Sequence, residues 1–479
     1  ERLLVRPRHV EIQVLADDHG SCVHLFEREC SIQRRHQKLI EEAPSPAVDP
    51  ELRRRLGEAA LAVAGAVGYV GAGTVEFLLE PSGEAFWFLE VNARIQVEHP
   101  VTEAVTGLDL VRLQLLVAAG EPLPLAELSQ AEVRGHAIEA RLYAEDPAAG
   151  FLPQTGVLHR FRVGAGGAAG GPAVRVDAGV ADGSVVGVHY DPLLAKVVAH
   201  APTRPEAARM LASALAGAQL HGVVTNRDLL VGVLRSESFL AGDTDTGFLD
   251  HHPPAELTAA GSAAGPLTTR LHAAAAALAA QAARRAATTV YVAAPSGWRN
   301  NPSQLQRVAL DVVQGPAAVL VGYRFDRTGA LVALEVDGDP LPGPRLWHCT
   351  ADLVDLEIEG VRRRFEVHRV GDTAYVDSSL GHSELRDHPQ DPASAGPGGS
   401  GAEPGGSMVS SLPGVVRRVL VGVGEWVEAG DVLVLVEAMK TEHRVAAARP
   451  GRVLRVLVAE GQEVTAGTTV VELEEAADG

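Results

Sequence analysis

Apolar and polar residues alternate along two stretches near the start of the chain. Residues 9–15 and 22–26 follow a period of two, and an Asp-Asp-His-Gly turn at 17–20 lies between them. Successive side chains of a strand point to opposite faces, so this pattern predicts a β-hairpin.

A second predicted hairpin carries two glutamates. Residues 74–79 and 86–92 have strand-like patterns, and the glycine-containing turn between them places Glu76 opposite Glu90. Two facing carboxylates repel each other unless a cation lies between them. Hard oxygen ligands beside Asn92 suit Mg²⁺ or Mn²⁺, so this face is a candidate metal site.

The apolar run before Glu90 bears on this interpretation. Residues 86–89 read Phe-Trp-Phe-Leu and are apolar on both faces, which predicts a strand buried on both sides. A buried glutamate needs a partner, which favours the metal. The alternative is a solvent-exposed hairpin face on which Glu90 pairs with Arg94.

Asp49 and Pro50 open a predicted helix that ends before Gly68, and residues 203–206, which read Thr-Arg-Pro-Glu, form a capping box that opens another. Residues 68–73 read Gly-Tyr-Val-Gly-Ala-Gly, which invites comparison with a dinucleotide- or phosphate-binding loop. Such a loop follows a strand and opens a helix, whereas this one follows a helix and enters a strand. We therefore interpret it as a turn.

The middle of the chain predicts a different arrangement. Residues 268–287 are rich in alanine and predict one long helix, capped by Thr268 or Thr269. One helix followed by many strands predicts an antiparallel barrel that holds the helix, and no catalytic constellation is visible in it. The strand-like runs lie at residues 289–293, 307–313, 318–323, 331–336, 353–358 and 363–367.

Near its C-terminus the chain repeats itself. The run from Gly414 matches the run from Gly451 at a constant offset of 37 residues, which predicts a flattened β-barrel with pseudo-two-fold symmetry. Lys440 lies at the join of the two halves in an arginine-rich, lysine-poor chain, and we expect it at an exposed turn. Residues 389–407 are mostly Gly, Pro, Ala and Ser and predict a flexible tether.

Composition narrows the classes of function. The formal net charge is −19 and the isoelectric point is near 5.4, which argues against a nucleic-acid binder. Cys22, Cys30 and Cys349 form no disulfide framework, so we expect a reducing cytoplasm. No apolar run approaches the ~18–20 residues that span a bilayer, so we expect no membrane partner.

Four basic or imidazole groups lie within residues 34–38, which form either a solvated face or an anion site for phosphate or bicarbonate. With the motifs around it, this run closely resembles biotin carboxylase, an ATP-grasp enzyme. The resemblance covers roughly the first half of the chain. Its collinear motifs lie at residues 8–11, 29–38, 71–77, 90–100, 135–141, 144–147 and 190–192.

The resemblance implies that ATP activates bicarbonate as carboxyphosphate and that biotin is then carboxylated. Glu98 would be the base that deprotonates bicarbonate, and Arg141 would stabilise the biotin enolate. The bicarbonate pocket would be lined by Lys38, Arg94, Gln96 and Val97. The metal ions that bridge the ATP phosphates would be held by Glu76, Glu90 and Asn92. The nucleotide site would be lined by Glu1, Leu4, His9, Gln33 and His36.

The repeat resembles a biotinyl carrier domain, in which biotin is attached to the lysine of an Ala-Met-Lys-Met turn. Residues 437–440 read Glu-Ala-Met-Lys, so Lys440 would carry the biotin, while Thr441 replaces the second methionine. A lipoyl carrier shares this architecture but usually flanks its lysine with Asp and Ala, so we favour biotin. The resemblance implies a biotin protein ligase as a partner.

Residues 296–300 read Ser-Gly-Trp-Arg-Asn and resemble the linking domain of acyl-CoA carboxylase α subunits. That domain docks a carboxyltransferase β subunit, so the resemblance implies a hetero-oligomer. Trp298 and Arg299 would anchor this interface, and burial of Trp298 inside the barrel is the alternative.

We therefore expect a multidomain α+β protein, the α subunit of a biotin-dependent acyl-CoA carboxylase. A pyruvate- or urea-carboxylase-type component and an inert carrier scaffold are the alternatives. Because no glycine-rich lid segment precedes Glu1, we expect an N-terminally truncated carboxylase that alone is inactive or nearly so. The expected parts are an ATP-grasp domain (1–130), a biotin carboxylase C-terminal domain (131–250), a helix-plus-β-barrel linking domain (251–388), a linker (389–408) and an all-β biotinyl barrel-sandwich domain (409–475).

Overall fold

The computed structural model describes residues 3–83, 85–164, 174–262, 265–290, 304–313, 318–388, 407–410, 412–438 and 441–474. The chain divides into two compact units. The first unit comprises Glu1–Val186 and Pro192–Ser262, and the second comprises Gly187–Asp191 and Ala263–Gly479. No helix of the described residues is long and apolar enough to cross a membrane.

An eight-stranded antiparallel sheet and several helices build the first unit. The strands of the first unit are β1 (Arg8–Ala16), β2 (Cys22–Arg34), β3 (Gln37–Ala43), β4 (Gly71–Leu79), β5 (Phe86–Asn92), β6 (His136–Tyr143), β7 (Glu145–Asp146), β8 (Leu152–Pro153), β9 (Gly156–Val157), β10 (Arg160–Arg162), β11 (Arg175–Ala178), β12 (Val185–Val186), β13 (Leu193–Ala201) and β14 (Gln219–His221). Its helices are α1 (Pro50–Ala66), α2 (His99–Thr106), α3 (Leu110–Ala118), α4 (Leu125–Leu128), α5 (Arg204–Ala216), α6 (Arg227–Arg235), α7 (Glu237–Ala241), α8 (Phe248–His251) and α9 (Pro254–Gly261).

The large sheet has the order β11-β13-β6-β3-β2-β1-β4-β5, which contains both predicted hairpins. As predicted, Glu76 of β4 pairs with Glu90 of β5. The next pair is Phe77 with Phe88, so Leu89 is an extra residue that bulges from the ladder. This bulge shifts the register beyond Phe88, which a uniform alternation along β5 does not anticipate.

The prediction that residues 86–89 are buried on both sides is wrong. β5 is the edge strand of the sheet, and Trp87, Phe88 and Leu89 are 40%, 55% and 47% exposed. Glu90 is also exposed, so the expectation that it is a buried acid is wrong as well. The helices pack over more central strands, with α1 over β1 and β2 and α5 over β6 and β13. An apolar run indicates a doubly covered strand only where layers lie on both faces of it.

The predicted helix starts in the first unit are confirmed. Asp49 caps α1 by accepting a hydrogen bond from the Leu52 amide at 2.7 Å, and Gly68 follows the helix with a positive φ of 57°. Thr203 and Glu206 form the predicted capping box of α5.

In the second unit a nine-stranded antiparallel sheet packs against one long helix. The elements are α10 (Pro266–Ala287), β15 (Gln306–Val312), β16 (Ala318–Phe325), β17 (Leu331–Val336), β18 (Asp339–Pro340), β19 (Arg345–Cys349), β20 (Leu353–Ile358), β21 (Val361–Val370), β22 (Thr373–Ser378) and β23 (Gly381–Asp387). The strand order is β18-β17-β16-β15-β23-β22-β21-β20-β19.

Alanine explains how one helix fits among so many strands. α10 packs against β16, β17 and β19 to β23, and its residues Ala273 to Ala279 are at most 1% exposed. Small side chains let the strands approach the helix closely. The N-cap of α10 is Gly265, about one turn before the predicted cap at Thr268 or Thr269, because Pro266 is well suited to the first helical position. The predicted strand at 289–293 lies mostly outside the described residues.

The repeat forms two four-stranded sheets, and the 37-residue offset holds in three dimensions. The strands are β24 (Ser407–Val409), β25 (Gly414–Val419), β26 (Trp426–Val427), β27 (Val432–Ala438), β28 (Thr441–Ala446), β29 (Gly451–Val456), β30 (Glu463–Val464) and β31 (Thr469–Leu473). One sheet has the order β24-β31-β29-β26 and the other β28-β27-β25-β30. β25, β26 and β27 are therefore equivalent to β29, β30 and β31, as the predicted pseudo-two-fold symmetry requires.

Candidate functional site

One face of the eight-stranded sheet carries a row of charged side chains. On β1, Glu11 alternates with the core residues Val10 and Ile12 and therefore points to the opposite face. The register places Arg28 of β2 and Glu76 of β4 directly opposite Glu11. Paired residues of adjacent strands share a face, so three strands bring two acids and one base together.

Lys38 lies at the centre of this charged face. Its Nζ is 2.6 Å from Glu11 Oε2, 2.6 Å from Glu98 Oε1 and 3.0 Å from Glu76 Oε1, and it also contacts Gln96 Oε1 at 3.2 Å. Burial disfavours a charge on Lys38, but the negative groups around it outweigh burial and raise the pKa of the ammonium. Lys38 is therefore a permanent cation held by three carboxylates.

A fully buried ion pair, Arg28 with Glu11, contacts Lys38 through Glu11. Arg28 has no exposed surface, and its Nε donates to Glu11 Oε1 at 2.5 Å. Burial raises the pKa of Glu11, but Arg28 and Lys38 outweigh it and bring the pKa to about 2. The other guanidinium donors bind side-chain oxygens of Gln13, Thr74 and Thr102.

Glu98 lies between two cations at the N-terminus of α2. It occupies the N-cap position, and its Oε1 accepts from Lys38 while its Oε2 accepts from Arg141 at 2.9 Å. Arg141 also donates through Nε to Glu41. Burial opposes the charge on Arg141, but Glu41 and Glu98 outweigh it and raise the guanidinium pKa. The two fixed cations can bind a small anion, and the carboxylate between them can accept a proton from it.

The two opposed glutamates share one amide donor. Asn92 Nδ2 donates to Glu76 Oε1 at 3.1 Å and to Glu90 Oε1 at 3.0 Å. Glu76 is buried, which raises its pKa, but a 2.8 Å hydrogen bond with His9 and the charge of Lys38 lower the pKa below its ordinary value. The two carboxylate oxygens thus converge on the position of Asn92 Nδ2, and a rotated Asn92 side chain would present its amide oxygen there as a third oxygen ligand for a cation. This donor set fits Mg²⁺ or Mn²⁺.

The backbone before Glu98 is held from the other side by a second lysine. Lys196 Nζ donates to the Val97 carbonyl at 2.7 Å and lies 3.5 Å from Asp177 Oδ2. Lys196 pairs with Arg141 across β13 and β6, so the two cations share a face of the sheet. A cavity of ≈ 390 Å³ borders this contact and is lined by residues 95–97, His99, Asp177, Gly179 and residues 193–196.

Four family models match consecutive parts of the chain. They are the ATP binding domain of carbamoyl-phosphate synthase L chain (residues 1–126), the biotin carboxylase C-terminal domain (139–251), the BT domain of the methylcrotonyl-CoA carboxylase alpha-subunit (269–390) and the biotin-requiring enzyme family (403–473).

The propionyl-CoA carboxylase alpha chain of Ruegeria pomeroyi is 36% identical over 94% of this chain and 67% of its own length. The chain belongs to the alpha subunits of the biotin-dependent acyl-CoA carboxylases. The mitochondrial methylcrotonoyl-CoA carboxylase subunit alpha of Arabidopsis thaliana is 35% identical over 93% of this chain. The chain spans 64% of the length of that relative.

Solved biotin carboxylases resemble the first part of this carboxylase alpha chain. The biotin carboxylase domain of a thermophilic 2-oxoglutarate carboxylase, bound to bicarbonate, is 40% identical, with a TM-score of 0.51 over 54% of this chain and 56% of its own. The biotin carboxylase subunit of a pyruvate carboxylase is 43% identical, with a TM-score of 0.50 over 54% of this chain and 55% of its own.

Most residues that the resemblance to carboxylases singled out lie in the hydrogen-bonded cluster described above. Gln33 pairs with Lys38 across β2 and β3 and so shares its face. Arg94 is exposed, and its Nη2 lies 3.4 Å from Asn92 Oδ1. His36 is exposed in the β2–β3 turn. The remaining assignments lie elsewhere: Leu4 lines a separate cavity beside the β4–β5 turn, and Glu1, Trp298, Arg299 and Lys440 are outside the described residues.

Four charged residues of this site, Glu11, Arg28, Glu41 and Lys196, were not predicted from the sequence. A signal for Glu11 was present, because it alternates with apolar residues on a predicted strand. Arg28 and Glu41 lie in a charge-rich region in which sequence alone does not show which groups are buried. Lys196 could have been noticed because lysine is rare in this chain. Cys30 is buried, which raises the pKa of its thiol and agrees with a structural role.

Proposed function

We propose that this chain is the part of an acyl-CoA carboxylase α subunit that uses ATP and bicarbonate to carboxylate biotin on Lys440. The carboxyl group is then delivered to a carboxyltransferase β subunit in a hetero-oligomer. The observation that carries the proposal is the position of Glu98, whose two oxygens bind Lys38 and Arg141. A base beside two fixed cations suits bicarbonate, which must be bound as an anion and then deprotonated.

Lys38, Arg94, Gln96 and the Val97 backbone bind bicarbonate, and Glu98 accepts its proton. Protonation removes the charge that Glu98 offers to Arg141, while Glu41 continues to hold the other side of the guanidinium. The freed NH2 group of Arg141 can then stabilise negative charge that develops on a neighbouring oxygen. When bound, biotin would supply the ureido nitrogen that receives the carboxyl group, and the phosphate released from ATP would take up the N–H proton.

Glu76, Glu90 and Asn92 would hold divalent cations, which would neutralise the phosphates of ATP. Phosphoryl transfer needs such charge and positioning more than a protein nucleophile. His9, Gln33, His36, Leu4 and Glu1 line the nucleotide site in this proposal. The metal-binding residues adjoin the Lys38 cluster through Glu76, so nucleotide and bicarbonate would meet at one face of the sheet.

We assign the carboxylase to residues 1–130 and 131–250, docking of the β subunit to 251–388, and the carrier to 409–475. The proposed linker at 389–408 lies outside the described residues except for Ser407 and Met408. A biotin protein ligase modifies Lys440. The three free thiols fit a reducing compartment, for which we propose the cytoplasm, although relatives include proteins named as mitochondrial.

The test uses the complete α subunit that contains this chain. Bicarbonate-dependent ADP release in the presence of biotin should fall by at least about 10²-fold in Glu98→Gln, since a general base contributes about that factor. The Lys440→Arg variant should lose avidin binding but keep ADP release with free biotin. The proposal fails if Glu98→Gln retains full activity or if Lys440→Arg still binds avidin.

Turnover of acetyl-, propionyl- and 3-methylcrotonyl-CoA by the complete hetero-oligomer identifies the acyl-CoA that accepts the carboxyl group.

A further inference from the structure

Lysine is rare in this chain, and its positions are informative. The sequence has 42 lysines and arginines, of which only Lys38, Lys196 and Lys440 are lysines. Wherever a cation merely faces solvent, this chain therefore uses arginine. A retained lysine indicates a place where the planar, five-donor guanidinium cannot replace a compact ammonium.

Two of the three lysines have such a reason. Lys38 places one nitrogen among four acceptor oxygens at 2.6–3.2 Å, which a planar fork cannot match. Lys440 offers the primary amine that attachment of biotin would require. Lys196 is the third, and nothing in the proposed chemistry accounts for it.

The surroundings of Lys196 supply a reason. Its side chain is 13% exposed, and its Nζ donates to the Val97 carbonyl at 2.7 Å and approaches Asp177 at 3.5 Å. The Val97 carbonyl belongs to the peptide bond that leads into Glu98. The Glu98 carboxylate is thus held by Lys38 and Arg141, while the backbone just before it is held by Lys196.

We propose that Lys196 is a positioning residue that fixes the Val97 peptide and so sets the place of Glu98 in the bicarbonate pocket. This inference rests on the proposed function of Glu98 and adds a residue to it. Lys196 pairs with Arg141 across adjacent strands, so it ties the 96–98 segment to the strand that carries Arg141. An arginine would have to bring a wider, planar head group to the same carbonyl, beside the ≈ 390 Å³ cavity.

The kinetic test compares Lys196→Met and Lys196→Arg in the complete α subunit. Loss of one charged hydrogen bond should raise the KM for bicarbonate by about tenfold in Lys196→Met, with the KM for ATP unchanged. Lys196→Arg should recover only part of this loss. A matched control is Arg175→Met, which removes another cation that binds Asp177, at 2.9 Å, and should leave the bicarbonate KM unchanged. An unchanged bicarbonate KM in Lys196→Met overturns the proposal.

A second measurement does not depend on turnover. In the complete α subunit labelled with ¹³C at lysine Cε, the signals of Lys38 and Lys196 are each assigned by their loss in a Lys→Arg variant. Bicarbonate should shift the Lys38 signal in the wild type and shift it less, at the same concentration, in Lys196→Met. Equal shifts in both proteins would contradict the positioning role of Lys196 but not the bicarbonate site. No shift of Lys38 in the wild type would contradict the bicarbonate site itself.

Discussion

The two units of the molecule place their charges in opposite ways. In the first unit Arg28, Glu11 and Glu98 are buried within the sheet and its covering helix. In the second unit the helix is surrounded by alanine and aliphatic side chains, and ion pairs such as Arg362–Asp355 lie towards the surface. Burial of charge is costly unless each group is paired, and an apolar core of similar volume is often as stable. The second unit shows that this chain can build such a core, so the buried charges of the first unit indicate function.

The second unit buries a histidine in its neutral form. His272 of α10 has no exposed surface and lies between two serines, with Nδ1 2.8 Å from Ser383 Oγ and Nε2 2.7 Å from Ser378 Oγ. Burial lowers its pKa to about 4, so it is neutral at physiological pH. The second unit therefore contains a polar contact but no buried charge at this position.

The largest effect is expected for Arg28→Met. Removal of Arg28 leaves Glu11 buried without its guanidinium partner, which should cost about 3–5 kcal/mol of unfolding free energy in the first unit. The measurement is amide hydrogen exchange of β1 to β4 in the wild type and the variant. Arg28→Met combined with Glu11→Gln should recover part of the lost stability, because Glu11 no longer leaves a buried charge without its guanidinium partner.

Arg362→Met in the second unit is the matched control for that experiment. Its ion pair with Asp355 is largely solvated, so protection of β20 and β21 should stay close to that of the wild type. If Arg362→Met destabilises its unit as much as Arg28→Met destabilises the first, the contrast between buried and exposed charge is wrong.

A smaller effect is expected for His272, and it depends on pH. The pKa of His272 lies below that of an unfolded histidine, so the unfolded state binds more protons between about pH 6.5 and 4. The resulting stability is present above pH 6.5 and is lost as pH falls, by roughly 3 kcal/mol once pH reaches the folded pKa. Thermal unfolding of the second unit across this range measures the slope. His272→Gln should flatten it; an unchanged slope would show that other groups cause the pH dependence.

The same contrast explains what the sequence could predict. Local patterns predicted the pairing of Glu76 with Glu90 and the capping box of α5, because neighbours in sequence determine them. The exposure of Phe88 was missed, because it depends on the place of β5 at the edge of the sheet. The ion pair of Arg28 with Glu11 was also missed, since its burial depends on α2, which covers part of the hydrophilic face and whose Thr102 contacts Arg28.

The smallest net effect is expected for Glu139→Gln, in the first unit. Glu139 is fully buried, and within the described residues neither of its carboxyl oxygens has a hydrogen-bond partner. Burial and then the neighbouring Glu41 raise its pKa well above the ordinary value, so the folded state keeps it protonated. The unfolded state ionises first as pH rises above about 4.5, which means that Glu139 makes the wild type less stable towards neutral pH.

Glutamine has nearly the same shape as the protonated acid but cannot ionise, so Glu139→Gln should match the wild type near pH 4 and exceed its stability at pH 7. Its extra amide hydrogens offset part of this gain, although Glu41 Oε2, for which the described part of the chain likewise supplies no hydrogen-bond partner, is available as an acceptor. Hydrogen exchange of β3 and β6 at the two pH values provides the measurement. The sign is the opposite of that for His272, whose unit gains stability as pH rises. Equal destabilisation by Glu139→Gln at both pH values would mean that Glu139 is charged in the folded state and belongs with Glu11 among the paired carboxylates.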